Sequence, residues 1–144
     1  MKPEGEATRG EMPSLAICAV SAVPTILAVD DDPDALTLLT LFLSKQGFRV
    51  LSASGGEEAL ERIREQLPDL VITDLTMPRM DGLELCARLR NRAETRHIPI
   101  IVHTGRPPDM QQPLICDRIF TKPADLPGLL SAIRELLKGS CPPA

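Results

Sequence analysis

Residues 26–33 read Ile-Leu-Ala-Val-Asp-Asp-Asp-Pro, and they give the clearest indication of the chain's architecture. An uninterrupted apolar run of this length is typical of a strand that is covered on both faces of its sheet. Asp32 can cap the helix that follows, with Pro33 at its first position, and Gly47 is expected to end it. That helix has an apolar face made by Leu36, Leu39 and Leu43. A buried strand followed directly by an amphipathic helix indicates a parallel sheet in which strands and helices alternate.

Four further apolar runs predict the other strands. They are Phe48–Ser52, Asp69–Thr73, Ile98–His103 and Ile119–Thr121. Because parallel sheets place their ligands at the carboxyl ends of the strands, the residues just after these runs are the candidate site. They are Asp30, Asp31 and Asp32 after the first strand, Asp74 after the third, Thr104 after the fourth and Lys122 after the fifth. The sequence therefore predicts carboxylates, a hydroxyl and an ammonium group at one edge of the sheet.

Three further amphipathic stretches predict the remaining helices. The first begins with the capping-box spacing of Ser54 and Glu57, and its apolar stripe is Leu60, Ile63 and Leu67. The other two are predicted at Leu83–Arg90 and Leu126–Lys138. Asp81 with Gly82 is expected to shape the start of the former, and Gly139 to end the latter.

The predicted group of side chains is suited to binding a metal ion and transferring a phosphoryl group. Carboxylates crowded at one sheet edge repel one another and favour a divalent cation. Oxygen ligands that leave room for water and phosphate favour Mg²⁺ over zinc. A carboxylate beside the metal can attack phosphorus to form an acyl phosphate, while the metal and a lysine neutralise the transferred oxygens. Asp74 is the candidate nucleophile, Lys122 the counter-charge and the Thr104 hydroxyl a donor to a phosphoryl oxygen.

Four motifs in this order resemble the receiver domains of bacterial two-component response regulators. They are Ile26–Pro33, Leu70–Gly82, Ile100–Gly105 and Thr121–Pro123. The resemblance covers residues 24–139 and implies an α/β, flavodoxin-like fold, a doubly wound five-stranded parallel sheet in the order 2-1-3-4-5 with helices on both faces. Residues 1–23 are predicted to be a flexible N-terminal tail and residues 140–144 a C-terminal tail.

The resemblance also implies a role for each matching residue. Asp74 falls on the phosphorylated aspartate, Thr104 on the hydroxyl that moves towards the phosphoryl group, and Lys122 on the lysine that pairs with it. The peptide bond between Lys122 and Pro123 is expected to be cis. Taken singly, Thr104 could instead be a hydroxyl bonded to the backbone and Lys122 a solvated surface lysine.

The implied metal ligands for Mg²⁺ are Asp30, Asp31, Asp74 and Thr76. Asp31 falls on a direct ligand, Asp30 on an acid that binds the ion through water, and Thr76 on a residue that offers its backbone carbonyl. The alternative for Asp30 and Asp31 is a structural role as helix caps. His97 and His103, which could be imagined as phosphate carriers, are expected to be structural.

Two departures from the family pattern affect signalling. Similar receivers carry an aromatic residue three places before the lysine, where this chain has Ile119, and Phe120 is one place off and so on the opposite face of the strand. Between Thr104 and Lys122, the prolines at 107, 108 and 113 forbid a regular helix. The helix usual between the fourth and fifth strands is therefore expected to be shortened or missing. Whether the loop 105–117 replaces it as a signalling surface stays open.

Composition narrows the class of protein. The chain has 144 residues, 43% hydrophobic and 25% charged, with a formal net charge of −4 and no Trp or Tyr. One domain is expected, with no direct nucleic-acid binding, because runs of Lys or Arg and stacking aromatics are lacking. The apolar run Leu15–Val23 is too short to cross a bilayer, so no membrane association is expected. Four widely spaced cysteines are interpreted as reduced thiols in a cytoplasmic protein.

Three functions remain open from the sequence. The leading one is a stand-alone receiver that a sensor histidine kinase or phosphotransfer protein phosphorylates and that then binds a downstream target protein. It would be no enzyme beyond its own phosphorylation and dephosphorylation, and no output domain is expected after the last helix. The alternative is a pseudo-receiver, a protein-interaction module independent of phosphorylation. A small aspartyl-phosphate phosphatase is disfavoured, because Thr76 stands where that family carries a second acid.

Overall fold

Five parallel strands form a single sheet in the computed structural model, which describes residues 23–105, 116–122 and 125–140. The strands are β1 (Thr25–Val29), β2 (Arg49–Ala53), β3 (Leu70–Thr73), β4 (Ile100–Thr104) and β5 (Arg118–Thr121). Their order across the sheet is β2-β1-β3-β4-β5. The predicted α/β fold and its strand order are confirmed.

Four α-helices lie within the described residues. They are α1 (Pro33–Lys45), α2 (Gly56–Glu65), α3 (Gly82–Arg90) and α4 (Leu126–Ser140). None of these helices is both long enough and apolar enough to cross a membrane. Four predictions fall on residues outside the described ranges. The predicted loss of a helix between β4 and β5 concerns residues 106–115, and the predicted cis bond involves Pro123. The two predicted tails cover residues 1–22, and most of 140–144, that are likewise not described.

Two hydrophobic cores cover the two faces of the sheet, because neighbouring residues of a strand point to opposite sides. Leu27 and Val29 of β1 pack on one face in a cluster that includes residues of α2 and α3. Ile26 and Ala28 pack on the other face with residues of α1 and α4. All five residues of β1 are buried, as the apolar run predicted.

The helix starts show which capping predictions hold. The Asp32 carboxylate accepts a hydrogen bond from the Asp34 amide, which confirms it as the N-cap of α1. The predicted capping box of α2 is wrong. Its N-cap is Gly55, and the side chain of Glu58 accepts bonds from both the amide and the hydroxyl of Ser54, at 2.8 Å each.

Several predicted boundaries move, each for a local reason. Leu67 is 49% exposed and lies beyond α2, because it precedes Pro68 and a residue before proline disfavours the helical region. β4 begins at Ile100 rather than Ile98, since Pro99 has no amide to donate to the sheet. α4 continues through Gly139 to Ser140, because glycine weakens a helix without forbidding it. The other strand ends shift by at most one residue.

Candidate functional site

The carboxyl ends of four strands carry the predicted site residues. Asp30 follows β1, Asp74 follows β3, Thr104 is the last residue of β4 and Lys122 follows β5. The backbone fixes their spacing: the Asp74 amide donates to the Val29 carbonyl at 2.9 Å, and the Lys122 amide donates to the Thr104 carbonyl at 2.7 Å. The strand pairing therefore brings these residues together from sequence positions up to 92 apart.

Three carboxylates form an acid cluster, defined here as Asp30, Asp31 and Asp74. One ligand oxygen from each lies within 4.8 Å of the others. Asp30 and Asp74 are buried, with 3% and 8% of their surface exposed, whereas Asp31 is exposed. Two buried acids beside an open third give a site with fixed oxygens on one side and access for solvent or a ligand on the other.

The ammonium group of Lys122 balances part of this charge. Its Nζ donates to Oδ2 of Asp30 at 2.6 Å and to Oδ2 of Asp74 at 3.3 Å. Burial acts to lower the pKa of Lys122, but the hydrogen bond and charge of Asp30, together with Asp74, outweigh it and raise that pKa above its usual value. The lysine is therefore charged at neutral pH, and its one positive charge faces two of the three carboxylates of the acid cluster.

Backbone amides hold the Asp74 carboxylate in place. Its Oδ1 accepts from the Leu75 amide at 2.7 Å and from the Thr76 amide at 3.4 Å, while Oδ2 faces Lys122. Each oxygen thus has its own donors, which fixes the orientation of the group. Thr76 is exposed beside this carboxylate.

Asp30 and Thr104 are both more deeply placed than Asp31. Oδ1 of Asp30 accepts from the Asp32 amide at 2.9 Å, so one of its oxygens supports the start of α1 while the other faces Lys122. Thr104 is buried with 1% of its surface exposed, and it pairs with Thr121 across the sheet. One oxygen of Asp30 therefore has a structural role at the start of α1, while the other belongs to the group of charged side chains at the candidate site.

Gly82 is a site residue whose full importance the sequence did not show. Asp81 caps α3 through the Glu84 amide at 2.8 Å, which confirms the predicted helix start. A Cβ atom at Gly82 would run into the backbone carbonyl of Asp74. α3 can therefore approach the peptide that follows β3 only if glycine stands there. The sequence showed a glycine next to a helix cap, but it did not show that this glycine lies against the backbone carbonyl of Asp74.

The predicted faces of β5 are confirmed by the register. Val102 pairs with Ile119 and His103 with Phe120, so Ile119 shares the face of Thr104 and Phe120 does not. Ile119 is 41% exposed, while Phe120 packs against the core under α1 and α4. No aromatic ring of β5 therefore lies on the Thr104 face. His97 is exposed, whereas His103 is half-buried.

Comparison with known proteins identifies the family. A sequence model described as "Response regulator receiver domain" matches residues 26–134. The chain is 36% identical to the phosphate regulon transcriptional regulatory protein PhoB of Rhizobium meliloti, over 83% of this chain and 55% of that protein. It is 34% identical to protein PilH of Pseudomonas aeruginosa, over 79% of this chain and 98% of PilH. The chain spans about half or less of the length of several other curated relatives that it matches.

Comparison with solved structures indicates the same family. The signal receiver domain of a signal transduction histidine kinase from Syntrophus aciditrophicus matches with a TM-score of 0.76 and 32% identity, covering 81% of this chain and 92% of that one. The family match covers most of the chain, and the strand order and the acid cluster at the strand ends agree with it. The chain therefore belongs to the response regulator receiver domains, which act in phosphorelay signalling.

Proposed function

We propose that this receiver accepts a phosphoryl group on Asp74, with a magnesium ion held by the acid cluster and the Thr76 carbonyl. The observation that carries this proposal is the placement of Lys122, whose ammonium contacts the acids after β1 and β3 at once. A structural ion pair would need one acid and one base. Here one lysine pairs with two carboxylates and a third lies beside them, which leaves a negative excess that a divalent cation would neutralise.

The donor set fits Mg²⁺. Its side-chain ligands are carboxylate oxygens, and the exposed Asp31 leaves one side open for the water and phosphate ligands that this ion retains. Asp31 and Asp74 would hold the ion directly, Asp30 through water, and Thr76 through its backbone carbonyl. When bound, the ion would neutralise negative charge on the phosphoryl oxygens.

The chain's own residues would then perform the transfer. A carboxylate oxygen of Asp74 attacks phosphorus in the donor, the new bond is an acyl phosphate, and the bond from phosphorus to the donor's leaving group breaks. The leaving group, a histidine nitrogen in a phosphohistidine donor, departs with the electron pair of that bond. Lys122 stays charged and pairs with a phosphoryl oxygen, while the buried Thr104 hydroxyl donates to another.

In this proposal the protein is a substrate and a switch. It catalyses only its own phosphorylation and the hydrolysis of its acyl phosphate, and its output is a changed protein-binding surface. Its partners would be a sensor histidine kinase or phosphotransfer protein and a downstream target protein. Action as a receiver alone is supported by the match to PilH over 98% of that protein. A cytoplasmic location is supported by the free thiols of Cys86 and Cys116.

A pseudo-receiver is the second candidate, and Ile119 favours it. An isoleucine 41% exposed on the Thr104 face lacks the ring that would report the state of the site in similar receivers. On this alternative, the acid cluster would be structural and the surface would bind partners without phosphorylation.

Intact-mass measurement separates the two candidates. The protein is incubated with Mg²⁺ and acetyl phosphate, beside Asp74→Asn, a metal-chelated sample and the control Asp34→Asn, which removes an exposed acid of α1. The proposal predicts one added phosphoryl group in the wild type and in Asp34→Asn, and none in the other two samples. No adduct on folded wild-type protein after rapid quenching would support the pseudo-receiver.

A further inference from the structure

An apolar groove lies beside the acid cluster, between α1 and the start of α4. It has a volume of about 730 Å³. Three of the leucines that line it are strongly exposed: Leu38 is 70%, Leu41 54% and Leu126 41% exposed. Isolated surface leucines are ordinary, but here three of them share one concave surface. Grouped apolar residues of this kind mark a surface that binds a partner.

Two of these leucines belong to a row of exposed residues along α1, which we call the α1 stripe: Asp34, Leu38, Leu41 and Lys45. The four residues follow one another at spacings of 4, 3 and 4 positions. At 3.6 residues per turn they lie within about 60° of one another around the helix axis. Alternating spacings of three and four residues are those of the contact positions in a coiled coil. The α1 stripe therefore has the spacing of a surface that packs against another helix.

Uncharged residues flank the α1 stripe on both sides. On one side are Thr37 and Ser44, which are exposed and have small side chains. On the other side are Ala35 and Phe42, which line the groove. A helix that packs on the α1 stripe can therefore approach closely without burying further charges, and it covers part of the groove as well.

The charges at the two ends of the α1 stripe favour an antiparallel copy of the same helix. If two chains pack α1 against α1 about a twofold axis, Asp34 faces Lys45 of the second copy, and Leu38 faces Leu41 of the second copy. Both pairs are centred on the same point of α1, so one axis satisfies them together, and each contact occurs twice. A parallel pair would place like charges opposite each other, which is unfavourable. Within the described part of the chain, neither Asp34 nor Lys45 has an ion-pair partner of its own.

We propose that this protein forms a twofold homodimer in which the α1 stripes of two copies pack antiparallel and cover the exposed leucines. With 13 residues, α1 is about 20 Å long, so the contact is smaller than that of a permanent dimer and its dissociation constant is expected in the micromolar range. Any protein that docks on the same face of α1 must then displace the second copy. This inference concerns the leucine surface and does not require phosphorylation of Asp74.

Charge reversal tests the pairing in the full chain. Sedimentation equilibrium is measured over a range of concentrations, with interference optics because the chain lacks Trp and Tyr, and with a reductant because Cys116 is a partly exposed thiol. Asp34→Lys and Lys45→Asp should each weaken dimerisation by at least about tenfold, since each puts like charges opposite each other twice. The double variant should return to within about threefold of the wild type. Because every reversal opposes the dipole of α1, an effect on helix stability alone would be largest in the double variant.

A leucine variant tests the apolar part of the contact. Leu38→Lys should stay monomeric at concentrations where the wild type is mainly dimeric. Its control is Leu67→Lys, which changes a leucine 49% exposed beyond α2 and should leave dimerisation unchanged. A wild-type chain that stays monomeric up to about 1 mM would overturn the proposal and leave the groove to a different protein. A dimer that Leu38→Lys leaves intact would overturn it by placing the interface elsewhere, and a double reversal that does not recover would exclude the antiparallel pairing.

Discussion

Lys122 Nζ lies 2.6 Å from Oδ2 of Asp30, although β5 and β1 are separated in the sheet by β3 and β4. The same ammonium reaches Asp74, which follows β3. The lysine therefore contacts two of the three carboxylates of the acid cluster. In a receiver that binds a cation between these acids, the lysine and the cation compete for the same negative charge.

Replacing Lys122 should tighten metal binding. In Lys122→Gln the acid cluster loses its internal counter-charge, so we expect Mg²⁺ affinity to rise by about tenfold, or ~1.4 kcal/mol. Titration calorimetry measures it, since the chain has no Trp or Tyr to report binding by fluorescence. Lys138→Gln, on the exposed part of α4, should leave the affinity unchanged. An unchanged or weaker affinity in Lys122→Gln would show that lysine and metal do not compete.

Gly82→Ala should disturb both the fold and the site. The added Cβ meets the Asp74 carbonyl and lies close to the Leu75 backbone, so α3 or the peptide after Asp74 must shift. We expect a loss of about 1–3 kcal/mol in the free energy of unfolding, measured by urea denaturation. Phosphorylation of Asp74 by acetyl phosphate should also slow. Gly105→Ala is the matched control, because a Cβ there has nothing within 4 Å. Equal stability of the two variants would contradict this account.

The sequence predicted the site because one rule of topology applies to it. Parallel strands end at the same edge, so residues directly after Val29, Thr73 and Thr121 must meet there, whatever the details of packing. This rule does not predict contacts that depend on how the helices and side chains are placed relative to the sheet. The clash at Gly82 and the double contact of Lys122 depend on distances between elements that no local pattern encodes.

The errors had local causes, and one of them had a visible signal. Pro68 was enough to show that Leu67 could not extend α2, since residues before proline avoid the helical region. The sequence indicated less clearly whether Glu57 or Glu58 would accept the hydrogen bond from Ser54. It depends on whether Gly55 or Ser54 is the N-cap, a shift of one residue that the Ser-Gly-Gly spacing does not decide.

The bond between Ser54 and Glu58 predicts a pH effect. The hydrogen bond from the Ser54 amide, followed by the one from the Ser54 hydroxyl, lowers the pKa of Glu58 below its usual value, although burial opposes the shift. The contact therefore stabilises the fold above the unfolded pKa and is lost as pH falls through the lower folded value. In an NMR titration of the Glu58 carboxyl, Ser54→Ala should move the pKa part of the way back, because the Ser54 amide still donates. Ser131→Ala, on exposed α4, should not move it. A pKa that Ser54→Ala leaves unchanged would rule out the hydroxyl bond.

Asp117 should contribute more to stability than an exposed ion pair. Its Oδ2 accepts from the Ile100 amide at 2.8 Å and from Arg90 at 2.9 Å, so it ties the start of β4 to the end of α3. Arg90 in turn donates to the Ile98 carbonyl at 2.7 Å. Asp117→Ala leaves the Ile100 amide without this acceptor, and we expect a loss of about 2 kcal/mol in the free energy of unfolding.

Glu135→Ala provides the comparison for Asp117. It removes the carboxylate that pairs with Arg118 at 2.7 Å, but both side chains are well exposed, at 69% and 44%. Such a pair contributes less than about 1 kcal/mol, because water and salt screen it. Urea denaturation of the two variants side by side should therefore rank Asp117→Ala as the less stable. The reverse order would mean that the amide of Ile100 finds another acceptor, and that the link from α3 to β4 does not depend on this carboxylate.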